Sequence, residues 1–223
     1  MLEWNLWRAL LDGTWITVQV TVLAALLGTI LSILSGLAGL SSVRAVRWAN
    51  QVYVDFFRGT SAIVQLFWIF FALPFFGISL SPLLAGVVTL GLNMGSYGSE
   101  VVRGAIRAVP RGQTEAAIAL NVTSFDRMRY IIFPQAAVTM LPPYGNLLIE
   151  LLKASALVSL ITLSDLTFQV QILRVNGSAS TTQLFTIALV LYFLLAMGIT
   201  GLVRAAEGYL GRGLEIGRGA RRS

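Results

Sequence analysis

Between Thr14 and Leu40 the sequence carries no charged residue. Such a stretch exceeds the roughly 20 apolar residues that cross a bilayer. Further apolar stretches run from about Gly59 to Ile78, Pro82 to Val102, Phe133 to Leu152 and Gln183 to Val203. A chain in lipid must satisfy its own backbone polar groups, and a helix does so within one segment. The expected fold is therefore all-α: a polytopic membrane protein of five transmembrane helices. Composition agrees, since 12% of the residues are charged, about half the share of a soluble domain.

The polar stretches set the orientation. Of the 16 basic residues, all but Arg8, Lys153 and Arg174 fall in the first loop, the third loop or the tail. By the positive-inside rule those segments are cytoplasmic, with the N-terminus outside and the C-terminus inside. Residues 1–13 read as an extracytoplasmic segment without the basic start and apolar run of a cleaved signal. Residues 14–207 form one membrane domain, and 208–223 a basic cytoplasmic tail. Ala154 to Leu173 turns from apolar to mixed and reads as a re-entrant or interfacial segment.

Cysteine and histidine are absent. That excludes disulfides, a thiolate nucleophile, an imidazole base and Cys/His metal sites, and no catalytic or metal-binding residue is assigned. The sole lysine, Lys153, follows Leu151-Leu152 rather than a glycine-rich loop, so the chain has no nucleotide-binding signature. The net charge of +6 follows from topology and needs no nucleic-acid partner.

The third and fourth spans hold the polar groups. Gly91, Gly95 and Gly98, with Ser96 and Ser99, offer a small surface on which another helix can lie closely. Asn93, Tyr97 and Glu100 follow at helical spacing, and Arg103 is placed to pair with Glu100. Pro134 and Pro142-Pro143 predict a kinked or broken fourth span, tolerated where protein or water covers the freed carbonyls. The candidate substrate path is Gln65, Asn93, Tyr97, Glu100, Asn146 and Glu150. For Gln65 a hydrogen bond to a neighbouring helix is the stronger reading. For Glu150, lining the path and pairing with Lys153 stand level.

Residues 109–133 read as helix, turn, helix. Thr114 to Leu120 forms the first helix, with Glu115 in its first turn, where the dipole favours a carboxylate. Ala116, Ala117 and Ala119 leave it narrow enough to lie in a groove on another protein. Asn121 suits the left-handed residue that ends a helix. Thr123 caps the second helix, with Asp126 three residues on.

Glu115-Ala116-Ala117, the turn residue at 121, Ile131 or Ile132 and Pro134 resemble the EAA loop of membrane permease subunits of ATP-binding-cassette importers. Val109 to Gln113 and Pro134-Gln135-Ala136 are similar to its polar amino-acid uptake branch. So are Arg58-Gly59-Thr60, Val64-Gln65-Leu66, Glu100 to Gly104, Pro142 to Asn146 and Leu152 to Ser159, so that the resemblance covers roughly Gly13 to Arg204. Asn121 departs from the family, where Gly is usual.

The resemblance implies a type I ABC importer permease fold in the bacterial cytoplasmic (inner) membrane. Its coupling helix would dock on separate ABC ATPase subunits through Arg111, Glu115, Ala116, Ala117, Leu120 and Asn121. ATP and Mg would be held there and not on this chain. It further implies a second permease subunit, identical or related, an extracytoplasmic solute-binding protein and alternating access. The solute would be a polar amino acid or a related zwitterionic compatible solute. Phe56 to Phe67 and Asn146 to Phe168 are also similar to the ectoine and hydroxyectoine branch. The alternative is a self-contained channel or ion-coupled carrier using Glu100 and Glu150, which the lack of a visible inverted repeat disfavours.

Overall fold

The structure is a computed structural model and describes residues 2–211. The arginines of the tail beyond Gly211 lie outside the described residues. Helix α1, Leu2–Ala38, is about 55 Å long at 1.5 Å per residue and so outreaches the hydrocarbon core. It begins at Leu2, so the residues set apart as an N-terminal segment are continuous with the first span.

The first loop is itself a helix. Asn50, Tyr53, Val54 and Phe57 turn toward the protein at helical spacing, and α2 covers Arg44–Gly59. It meets the next span at 103°. That span is short: α3, Ala62–Phe67, then a wider π turn Trp68–Ala72 and a tighter 3₁₀ turn Leu73–Phe76 containing Pro74.

The elbow between α2 and α3 is tied by amides. Gln65 donates Nε2 to the carbonyls of Phe57 (3.0 Å) and Thr60 (3.2 Å) and to the Thr60 hydroxyl (2.7 Å). Asn93 donates to the Phe57 carbonyl at 3.1 Å and to Gln65 Oε1 at 3.3 Å. Gln65 is thus buried as the packing group that the sequence favours.

Helix α4, Pro82–Ala108, is the centre of the bundle. About 40 Å long, it can cross the bilayer although its glycines, serines and Asn93 make it the most polar passage. Those small residues meet α1. A Cβ on Gly95 would stand 2.6 Å from Leu31 Cβ, and one on Gly98 2.0 Å from Ser32 Oγ and 2.8 Å from Ser32 Cβ. Gly28 and Gly36 of α1 return the fit against Met94 and Val102.

After α5, Arg111–Ala119, and α6, Ser124–Asp126, the chain enters α7, Phe133–Ala154. The break expected at Pro142-Pro143 is absent, and both prolines sit inside one helix. The irregularity falls earlier, over Arg127–Ile132. There the Pro134 ring would meet the carbonyl four residues back, and the backbone opens to a π turn in which the Phe133 amide donates to Met128. Gln135 Nε2 then donates to the Ile131 carbonyl at 2.8 Å.

The region expected to be re-entrant or interfacial is packed into the protein. A 3₁₀ turn, Ser155–Ile161, places Val158 and Ile161 in the core with Val20, Ala24, Leu66 and Leu90. Left-handed Thr162 (φ 65°) leads to α8, Leu166–Val175. The final helix α9, Thr181–Gly211, stands at the edge with Leu189, Phe193 and Leu202 exposed. Among the described residues three helices are long and apolar enough to cross a membrane, or four if the bent α2–α3 pair is one span; α4, less apolar, has the length to be the fifth.

Asp165 caps α8 from a buried position, in the connection outside these spans. Its carboxylate accepts from the amides of Phe168 (2.9 Å) and Thr167 (3.3 Å) and from the Tyr192 hydroxyl (3.5 Å). Burial pushes the Asp165 carboxyl up to about 6, against the pull of those hydrogen bonds. The folded state therefore holds this proton more tightly than the unfolded chain, and the stability it lends is complete below about pH 4 and lost as pH rises through about 6. Asp165→Asn keeps a capping side chain without ionising. We expect it to flatten the fall in thermal midpoint between pH 4.5 and 7.5 in detergent; an unchanged slope would assign that fall to other groups.

Candidate functional site

Two places gather the polar residues singled out in the sequence. The first is the loop beyond α4. Helix α5 starts at Arg111, three residues earlier than expected, with Pro110 ahead of it. Pro110 brings a fixed φ and lacks only a donor that a helix start leaves idle. Glu115 consequently lies in the second turn, not the first, and the dipole argument for it falls away.

The far end is closed as expected. Asn121 is left-handed at φ 55°, the Val122 amide donates to the Ala117 carbonyl and the Asn121 amide to that of Ile118, both at 2.9 Å. This is the Schellman pair that satisfies the last carbonyls of a helix. Thr123 then caps the next turn: its Oγ1 accepts from the Asp126 amide at 3.2 Å and donates to Asp126 Oδ2 at 2.7 Å. Because Asn tolerates this backbone and β-branched residues do not, Asn121→Gly is expected to leave the loop intact. Asn121→Val is expected to cost about 1–2 kcal/mol locally, readable as faster hydrogen exchange at Val122.

Exposure divides the alanines. Ala117 is 2% exposed and faces its own chain, so it cannot itself line a contact with a partner. Ala116, Arg111 and Glu115 are exposed. Beside them stand Ile118, Phe125 and Tyr130, also exposed, and Leu120 at 78%. Of these apolar groups the sequence reading singled out Leu120 alone. Ile118 could have been found from its position one residue beyond Ala117, on the face turned away from the protein.

The second place is a cavity of about 190 Å³ between α4 and α7, lined by Asn93 and Tyr97 on one side and Leu147, Glu150 and Leu151 on the other. Glu150 is exposed and makes no salt bridge to Lys153; the ion pair found among the described residues is Arg103 with Glu100. Arg58, from the end of α2, lies 5.3 Å from the Tyr97 ring centre, a cation–π distance. The cavity edge thus carries a carboxylate, a neutral amide, a phenol and a nearby guanidinium. Its volume lies below that of pockets for drug-sized ligands and suits a small solute.

The six candidate path residues do not act as one set. Asn93, Tyr97 and Glu150 meet at this cavity, while Gln65 is spent on the elbow and reaches it only through Asn93. Asn146 is exposed one turn before Glu150 and outside the lining. Glu100 shares a helical face with Asn93, but seven residues place it about 10 Å along the axis, in a different, arginine-lined cavity.

Residues 28–207 match the family model described as the binding-protein-dependent transport system inner membrane component. A probable amino-acid ABC transporter permease protein of Sinorhizobium fredii is 43% identical over 201 residues, covering 87% of this chain and 84% of the relative. The L-cystine transport system permease protein of Bacillus subtilis is 36% identical over 166 residues, 74% of this chain and 71% of that one. Among solved structures, an amino acid ABC transporter crystallised with histidines superposes with a TM-score of 0.84 at 32% identity, covering 94% of this chain and 96% of that one. The methionine ABC transporter in an inward-facing conformation shares the fold, with a TM-score of 0.77 at 22% identity over 92% of this chain and 98% of that one.

Proposed function

We propose, because this chain belongs to the binding-protein-dependent transport system inner membrane component family, that it couples ATP hydrolysis on separate subunits to the entry of a small zwitterionic solute. It is the permease component of an amino-acid ABC importer, a transport subunit rather than an enzyme, and a multi-pass inner-membrane protein. The proposal adds the residues, the orientation and the solute class.

The observation that carries it is the closed, outward-facing helix α5 with Ala116, Ile118 and Leu120 exposed. A soluble loop gains nothing from presenting these apolar groups, whereas a docking helix needs them. Arg111 and Glu115 supply polar contacts to an ATPase, Asn121 and Ala117 hold the helix shape, and ATP with Mg is bound by that ATPase. The basic loops favour an outside N-terminus and an inside C-terminus, which sets α5 in the cytoplasm.

Between α4 and α7, Glu150 suits an ammonium group and Arg58 beside Tyr97 a carboxylate, as a polar amino acid or a zwitterion such as ectoine would present. A second permease subunit, identical or related, would complete the path, and an extracytoplasmic binding protein would deliver the solute. Gentle extraction of the tagged chain from native membrane tests this. An ABC ATPase should copurify and be lost when Glu115 and Ala116 are disrupted. A chain that purifies alone and passes solute in ATP-free liposomes would instead be a channel or carrier.

A further inference from the structure

Helix α2 carries three distinct stripes. Asn50, Tyr53, Val54 and Phe57 pack inward. Arg44, Arg47, Gln51, Asp55 and Arg58 form a polar stripe in which Gln51 Nε2 donates to Asp55 Oδ1 at 2.7 Å, and Trp48 (70% exposed), Val52 and Phe56 form an apolar one left uncovered among the described residues. Their spacing of four puts them in one row along about 12 Å of helix. A basic helix with an apolar row beside it lies in the plane of a membrane surface.

Each end of that row opens into a recess. At Trp48 lies a cavity of about 410 Å³ between α2 and the ends of α1 and α4, with Arg44, Arg47, Arg103 and Arg107 set against the single carboxylate of Glu100. Arg103 pairs with Glu100, and Arg47 donates to the carbonyls of Ser41 (2.7 Å) and Ser42 (3.2 Å). Arg44 and Arg107 have no carboxylate within salt-bridge distance among the described residues. At Phe56 the row runs into an almost wholly apolar groove of about 590 Å³ in the crook of the elbow, walled by Val64, Trp68 and Ile69.

We propose that this continuous surface holds one anionic phospholipid, its phosphate between Arg44 and Arg107, its glycerol region against Trp48 and an acyl chain along Val52 and Phe56 into the elbow groove. Excess guanidinium charge in a recess attracts phosphate, and a second copy of a chain this basic offers no matching excess of carboxylate at such a cavity. The inference rests on the membrane placement of the chain and not on the importer reading. Bound lipid would brace α2 against α4 at the very elbow that leads to Asn93.

The test uses the full-length chain, with whatever subunits copurify, in nanodiscs of phosphatidylcholine with or without phosphatidylglycerol. Phospholipid retained after extraction is identified by native mass spectrometry. The wild-type chain should retain phosphatidylglycerol in preference to phosphatidylcholine, and Arg44→Gln with Arg107→Gln should reduce that preference on the order of tenfold. Arg44→Lys with Arg107→Lys should largely restore it. Equal retention of both lipids by the wild-type chain would overturn the proposal without any variant, as would lysines no better than glutamines. Displacement of the lipid by millimolar inorganic phosphate would reveal a free-anion site instead. Loss of an ATPase subunit rather than lipid in the glutamine variant would assign the arginines to an acidic protein surface. Failure of any ATPase to copurify would count against the proposed docking through α5 and leave the lipid result standing.

Discussion

Gly98→Leu is expected to leave little or no folded protein in the membrane, and Gly98→Ala to accumulate at reduced level with a lowered thermal midpoint. At this position even the first added carbon stands 2.0 Å from Ser32 Oγ and 2.8 Å from Ser32 Cβ. The serine hydroxyl is not at liberty to swing aside: it donates to the Gly28 carbonyl at 2.6 Å and lies 3.5 Å from the Tyr144 hydroxyl. Overpacking of this kind typically costs about 1–3 kcal/mol, and a leucine side chain adds bulk that only separation of α1 from α4 can admit. Folded proteins hold only about 5–15 kcal/mol in reserve. The second-site change Ser32→Gly removes the obstructing carbon and should recover most of the alanine loss. Normal accumulation of Gly98→Leu would show that the two helices do not approach as described.

Ala116→Trp is expected to abolish ATP-driven uptake, by tenfold at least, while insertion and membrane level stay normal. Ala116 is exposed on α5, so the indole disturbs nothing inside the chain and meets only what docks there. Ala117→Trp should behave differently, because Ala117 is buried and the added ring must unseat α5 from its own protein, lowering accumulation as well as uptake. The pair separates a docking defect from a folding defect. Wild-type uptake by Ala116→Trp would remove α5 from the coupling path.

Much of this architecture is legible in the chain because local chemistry forces it. The spacing of Gly91, Gly95 and Gly98 announces a close helix partner, and Asn121 followed by Thr123 announces a left-handed exit and a new cap. What sequence conceals is direction. Arg44 to Arg58 reads as a basic loop because its charges dominate the window, although the inward residues Asn50, Tyr53, Val54 and Phe57 repeat every three to four positions. Pro142-Pro143 reads as a break because the rule concerns lost donors, yet α7 runs through them and the widened turn belongs to Pro134. Asp165 gives no local sign of burial: Tyr192, which donates to its carboxylate, and Thr17, which accepts from the amide of the next residue, lie far away in the chain. The division of Glu100 from Asn93 likewise lies along the helix axis, which a face-counting argument ignores.

Asn93 belongs to the elbow and the cavity at once, its amide already given to Phe57 and Gln65. Both of its N–H groups are committed, so a solute acceptor that takes one of them exchanges one hydrogen bond for another of similar strength, and the net gain of such an exchange is small. On the proposed path Asn93 would therefore steer a solute rather than grip it, and the hold would fall to the charged groups of Glu150 and Arg58.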